Sequence, residues 1–209
     1  MNFLAHIYLS GDNPHVMIGN FIGDFVKGRN LIQQFDEDVA FGIELHRAID
    51  LYTDHHPVVR KSKKRLWSTY RHYAAVLIDV FYDHFLSRYW ERFSSVPLHN
   101  YAESSYAILK SNQSILPHAV QELLPYMIRQ NWLVNYGNFD GLQQTLNGMS
   151  RRTRHESRME QSIVDLQDQY EELTREFEEF LPELIQHCNT LLAERNKNLI
   201  PYPNLNAHA

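Results

Sequence analysis

Ionisable side chains recur at helical spacing inside three strongly apolar stretches, and together they have the composition of a divalent-cation site. In residues 16–26 the only polar side chains are Asn20 and Asp24, four apart and therefore on one side of a helix. In residues 42–57, His46, Asp50 and Asp54 recur every fourth position, beside an apolar face of Ile43, Leu45, Ile49 and Tyr52. In residues 74–86 charge is confined to Asp79, Asp83 and His84, among Val76, Leu77, Ile78, Val80, Phe81, Phe85 and Leu86. A buried carboxylate without a partner is costly or takes up a proton. Asp24, Asp50, Asp79 and Asp83 compete for few inward cations: Arg47, and His6, His46 or His84 if protonated. A divalent metal would serve better, and oxygen with imidazole ligands suit Mn2+, Fe2+, Mg2+ or Zn2+.

The elements that must position these groups read as helices throughout. Gly and Pro number 8 each, so breakers are few, and runs of alternating β-branched residues are missing. The expected fold is all-α, a single helical bundle domain over residues 1–209, with helices near 14–28, 37–55, 57–70, 73–92, 98–112, 117–134, 139–149 and 155–194. Pro14, Pro57, Pro97, Pro117 and Pro182 read as helix starts, because a first-turn proline loses no internal hydrogen bond. The candidate metal-site helices fall in residues 1–92. Gly19 and Gly23 sit in a helical stretch at up to about 1 kcal/mol each relative to alanine, which predicts close approach of another backbone. Residues 74–86, apolar on nearly every side, predict a central helix. The long last helix carries Ile163, Leu166, Tyr170, Leu173, Phe177, Phe180, Leu184 and Leu191 as an apolar stripe. It is expected to pack along the body, its acidic face in solvent; a coiled-coil dimer is the alternative, weakened by Pro182.

Composition removes several classes. The 209 residues carry a formal charge of −5, against a general nucleic-acid binder. One cysteine, Cys188, excludes a disulfide framework and a Cys-rich zinc site, and its place in an amphipathic helix predicts packing. The first residues lack the positive n-region of a signal peptide and no apolar run is long enough to span a bilayer, so a cytoplasmic protein without a membrane partner is expected. There is no Glu-x-x-His, no His-Glu-x-x-His, and none of the usual glycine-rich nucleotide loops or hydrolase elbows. Of 12 histidines, His15, His72, His99, His118, His155, His187 and His208 fall outside the apolar segments and carry no expected chemistry.

Charge is locally uneven. Residues 55–78 contain no acid but six bases, Arg60, Lys61, Lys63, Lys64, Arg65 and Arg71. Such a stretch beside the candidate site predicts docking of an acidic macromolecule or a phosphate-bearing substrate, through Arg60, Lys61, Lys64 and Arg65. Arg151, Arg152, Arg154 and Arg158 form a second cluster.

These residues resemble the acyl carrier protein phosphodiesterase family. The matching motifs are Met1-Asn2-Phe3-Leu4-Ala5-His6, Asp24-Phe25-Val26-Lys27-Gly28, Leu45-His46-Arg47-Ala48-Ile49-Asp50 with Thr53-Asp54 and Pro57, and Leu77-Ile78-Asp79-Val80-Phe81-Tyr82-Asp83-His84-Phe85-Leu86. Gln130-Asn131-Trp132-Leu133-Val134 and Met149-Ser150-Arg151-Arg152 extend the resemblance to about residue 190. It implies a metal-dependent hydrolase that removes 4′-phosphopantetheine from holo acyl carrier protein, with Mn2+ as cofactor (Mg2+ or Fe2+ as alternatives). It also implies a helical fold distantly similar to the HD phosphohydrolases. Tyr8 stands where the family often has His, and the doublets Asp54-His55 and Asp83-His84 reverse the HD order. The analogy therefore does not assign ligands one by one; from the residues themselves, Asp24, His46, Asp79, Asp83 and His84 are expected to hold one or two divalent ions. Asp50 or His6 would orient water or protonate the leaving oxygen, and Arg47 or Arg60 would neutralise phosphate charge. A phosphohydrolase of a small nucleotide and a non-enzymatic helical adaptor are the alternatives.

Overall fold

The structure is a computed structural model that describes residues 1–195 and 200; His208 lies outside them. Among the described residues there are eleven α-helices and no strand: α1 (Phe3–Tyr8), α2 (Pro14–Ile22), α3 (Glu37–His55), α4 (Pro57–Tyr70), α5 (Tyr73–Arg88), α6 (Leu98–Ser111), α7 (His118–Arg129), α8 (Trp132–Asn135), α9 (Phe139–Arg152), α10 (Ser162–Asp168) and α11 (Tyr170–Glu194). The all-α expectation holds, and α3 and α4 have the bounds the sequence predicts. Their ends are chemically marked. Asp36 caps α3 by accepting from the N–H of Asp38 and Val39, and Pro57 opens α4 where its missing N–H costs nothing.

Elsewhere the boundaries differ for local reasons. The helix expected to reach residue 28 stops at Ile22 and tightens into a 3-10 turn, Gly23–Phe25. The one expected over 73–92 ends at Arg88, before a second 3-10 turn at Trp90–Arg92. The helix expected over 117–134 breaks into α7 and α8 because Asn131 adopts a left-handed conformation, φ 44°. The long helix expected over 155–194 is instead α10 and α11, parted at Gln169. Pro182 starts nothing: it lies inside α11, where buried Phe180, Leu181 and Leu184 hold the helix together around the one lost hydrogen bond.

The central helix is α5, with Leu77, Ile78, Phe81, Tyr82, Phe85 and Leu86 all removed from solvent. Around it pack α1, α4, α8 and α11. α11 lies along the body against α3, α4 and α5, as its apolar stripe requires, and Cys188 is buried in that contact. The tightest contact joins α2 to α3. A Cβ on Gly19 would stand 2.1 Å from the Val39 carbonyl oxygen, and one on Gly42 would stand 2.2 Å from that of Val16. Both distances are impossible, so only glycine at both positions allows these backbones to touch.

Candidate functional site

Close packing of α2 on α3 brings Asn20 into hydrogen-bond reach of two imidazoles. The His46 Nδ1 lies 2.7 Å from the Asn20 backbone oxygen, which can only accept, so Nδ1 carries the proton. The Asn20 side-chain amide donates to the His6 carbonyl oxygen at 2.7 Å and to Ser10 Oγ at 3.0 Å, which turns its Oδ1 toward His6 Nδ1 at 2.8 Å. That nitrogen is therefore also a donor. The two rings stack with centroids 3.9 Å apart. With both Nδ1 positions fixed, each Nε2 points the same way as a lone pair unless it takes a second proton.

What the Nε2 atoms face is carboxylate. His6 Nε2 is 3.3 Å from Asp50 Oδ1; His46 Nε2 is 3.2 Å from Asp50 Oδ2 and 3.2 Å from Asp24 Oδ1. Ligating atoms of His6, His46 and Asp50 all lie within 4.8 Å of one another. Two lone pairs and two anions that converge need a cation. Burial acts against charge on His46, yet Asp24 and Asp50 outweigh it and push this imidazole up to about 9. The hydrogen bond from His46 holds Asp24 below the usual carboxylate range. Asp50 is held lower despite burial by the hydrogen bond it accepts from the His46 imidazole. His6 goes the other way, lowered to about 4 by burial. The proton thus belongs to His46, while His6 presents a neutral Nε2.

The remaining expected site residues divide. Asp79 Oδ1 accepts from the Met1 amino group at 2.9 Å, and that group also lies 3.9 Å from Asp50; burial raises the Asp79 carboxyl in spite of this neighbour. Asp79 therefore borders the cluster. Asp83 does not join it as a ligand. Its oxygens accept from the backbone N–H groups of Asn2, Leu4 and Ala5, so it caps α1 from a distance, and burial pushes it up to about 7. His84 faces elsewhere: Nδ1 donates to the Tyr136 carbonyl oxygen at 2.7 Å and Nε2 accepts from Tyr170 at 3.0 Å. The metal role expected for Asp83 and His84 is withdrawn on this geometry. Arg47 donates to the carbonyl oxygens of Val26 and Gly28, which buttresses the turn that carries Asp24, and its head is not offered to a phosphate.

The basic stretch divides in the same way. Arg65 grips buried Glu176 with two nitrogens, and Lys61 approaches that carboxylate at 3.2 Å. Lys63 pairs with Asp54 at 2.6 Å. Arg60 and Lys64 are exposed. Arg65 is therefore a structural residue and leaves the expected docking set. Asn20 is the residue that sequence reasoning leaves without a role; its signal was a lone amide in an apolar helix, one turn before Asp24.

Beside the cluster opens a cleft of about 630 Å³. Its lining includes Asp24, Asp50, Asp54 and Asp79 as well as Phe3, Phe25, Val76, Leu123, Trp132 and Met149. Thr53 also borders the cleft, and its buried hydroxyl has no hydrogen-bond partner among the described residues. A concave site with few convergent polar groups and perturbed ionisations has the form of an active site.

Residues 1–184 match the family described as Acyl carrier protein phosphodiesterase. A protein of that name from Photorhabdus laumondii is 32% identical over 189 residues, covering 89% of this chain and 94% of the relative. Another from Escherichia coli O6:H1 is 35% identical over 193 residues, covering 90% and 98%. No solved structure matches the chain, so the HD-like architecture anticipated above has no structural neighbour to test it.

Proposed function

The chain belongs to the acyl carrier protein phosphodiesterase family, and from that premise we propose that it hydrolyses the phosphodiester joining 4′-phosphopantetheine to a serine of holo acyl carrier protein. It is an enzyme, a phosphoric diester hydrolase, which sets aside the adaptor alternative. Water adds to phosphorus, the bond from phosphorus to the serine oxygen breaks, and that oxygen takes up a proton. The products are apo carrier protein and free 4′-phosphopantetheine.

One observation carries the metal reading: Asn20 consumes both Nδ1 protons, so that His6 Nε2, His46 Nε2, Asp50 and Asp24 converge as electron-pair donors. Such a set fits a divalent ion with imidazole and oxygen preference, and Mn2+ is the proposed one, with Mg2+ or Fe2+ as alternatives. The Asn20 contacts are the outer-shell bonds that orient ligating imidazoles. When bound, the ion supplies a Lewis acid for the phosphoryl oxygens and lowers the pKa of a water. Asp50, shared by both imidazoles, orients the cluster. Asp79 lines the cleft beside them, its carboxylate paired with the Met1 amino group. Exposed Arg60 and Lys64 provide positive potential for an acidic carrier protein. Among the described residues no helix is long and apolar enough to cross a membrane, and a carrier-protein substrate fits a cytoplasmic enzyme.

The test is mass spectrometry of holo acyl carrier protein incubated with metal-stripped enzyme, with and without Mn2+. Loss of the 4′-phosphopantetheine mass only with metal is the expected result. Full turnover after stripping would overturn the metal reading, and no turnover with any divalent ion would overturn the substrate in favour of a small nucleotide.

A further inference from the structure

A phosphodiester cut at the serine oxygen leaves the whole pantetheine arm on the product, so the arm must lie somewhere while its phosphate occupies the cluster. The cleft is only partly acidic. α5, α7, α8 and α9 add apolar lining to it, Val76, Leu123, Trp132 and Met149, together with Thr145 and Arg152 of α9. Next to these residues a second cavity of about 130 Å³ opens between α8 and α9. It shares Trp132, Thr145 and Arg152 with the main cleft, so the two adjoin. Together they fall within the size of small-molecule sites. The annex holds no carboxylate, and its lining is amide and glycine: Gln130, Asn135, Gln144, Gly141 and Gly148. Gln144 and Arg152 are both exposed there, and neither makes a hydrogen bond or ion pair among the described residues.

We infer that the annex between α8 and α9 is the subsite for the far, amide-and-thiol end of the pantetheine arm, with the dimethylated carbon next to its phosphate lying along Leu123, Trp132 and Met149. This rests on the function proposed above. The arm is a chain of dimethylated carbon and two amides ending in a thiol. Its carbonyl oxygens need N–H donors, which Gln144 and Arg152 supply without giving up other bonds. Its neutral end suits a pocket free of carboxylates, whereas its phosphate carries the charge that belongs at the cation-binding end. The subsite therefore makes the enzyme read the arm and not only the protein that bears it.

Gly148 provides a clean probe. It lines the annex, and a Cβ added there meets nothing within 4 Å. Gly148→Leu fills the space and replaces a helix-interior glycine with a better helix former, so the fold is not put at risk. The experiment measures inhibition of the Mn2+-supplied enzyme by 4′-phosphopantetheine and by inorganic phosphate, in the wild type, Gly148→Leu and Gln144→Ala. In the wild type, 4′-phosphopantetheine is expected to inhibit at a concentration at least about tenfold lower than phosphate, the scale of a shaped pocket's discrimination. Gly148→Leu should erase most of that difference and Gln144→Ala part of it, with the phosphate constant unmoved. Equal inhibition by the two ligands in the wild type, or an undiminished difference in both variants, overturns the subsite. A wild-type enzyme that releases no 4′-phosphopantetheine from holo carrier protein overturns the function itself, so the two failures are distinct.

Discussion

Glu176 and Asp50 are both carboxylates set among ionisable partners, and the fold treats them in opposite ways. Around Glu176 every acceptor meets a donor: Ser62 at 2.6 Å, Arg65 through two nitrogens at 2.8 and 3.0 Å, and Lys61 at 3.2 Å. Ser62 in turn shares a hydrogen bond with Tyr82. The cluster is closed, and it ties α4 to α5 and α11. Around Asp50 the facing atoms are imidazole nitrogens whose own protons are already spent on Asn20. Beyond the Met1 amino group 3.9 Å from Asp50, that cluster is satisfied only by an added proton or an added cation. Saturated donors make a cross-brace, whereas a surplus of lone pairs makes a binding site.

The sharpest way to break this contrast is to remove each carboxylate. Asp50→Ala should lower kcat by about 10²–10³-fold or more, the scale of losing an electrostatic group at a reacting centre, with a normal far-UV spectrum. Glu176→Ala should cost about 1–3 kcal/mol of stability by leaving Ser62 and Arg65 without their partner, yet keep kcat at a temperature where it stays folded. Loss of kcat in folded Glu176→Ala would break the distinction. Next, chelation should abolish turnover and lower Tm by a few degrees, both restored by Mn2+, in the wild type and in Glu176→Ala alike, since the ligand stabilises only the folded state. An unchanged Tm in a thermal scan with and without chelator would count against an ion at the open cluster.

A smaller effect follows from pH. In the metal-free protein His46 is raised to about 9, above its unfolded value near 6.5. Its contribution is therefore complete below about pH 6.5 and fades as pH rises through about 9. Metal-free Tm should fall across that window, and His46→Gln should flatten the slope. The smallest expected effect is on docking. Reversing charge at Arg60 and Lys64 should raise KM for holo carrier protein several-fold and weaken its salt dependence. Reversal at Arg65 should lower Tm instead, because its charge is spent inside the closed cluster.

Much of this organisation was legible in the sequence because it depends on spacing. The four-residue steps in His46 and Asp50, and the apolar run around α5, correctly placed helices and exposed the wrong-seeming polar groups. Asp83 and His84 shared those signals, but their partners are the α1 backbone, Tyr136 and Tyr170, all distant in sequence. The same reason hid α1. Six residues without a side-chain cap of their own would be a poor helix alone, and the cap arrives from Asp83, 79 residues away from Leu4. Arg65 read as surface charge because Glu176 lies on another helix. Periodicity tells which face a residue takes, not which atom waits there.

The glycine contact between α2 and α3 has a consequence for how this sequence can change. Asn20 rides on α2 and His46 on α3, so the bond that sets the tautomer is only as short as the helices are close. A methyl group at either position 19 or 42 would push them apart before any residue of the cluster was altered. No single second substitution can restore the gap, since the obstacle on each side is the other helix's backbone. A library of random variants should therefore lose activity at positions 19 and 42 as completely as at His46. To a geneticist, two glycines with no side chain to offer would look catalytic.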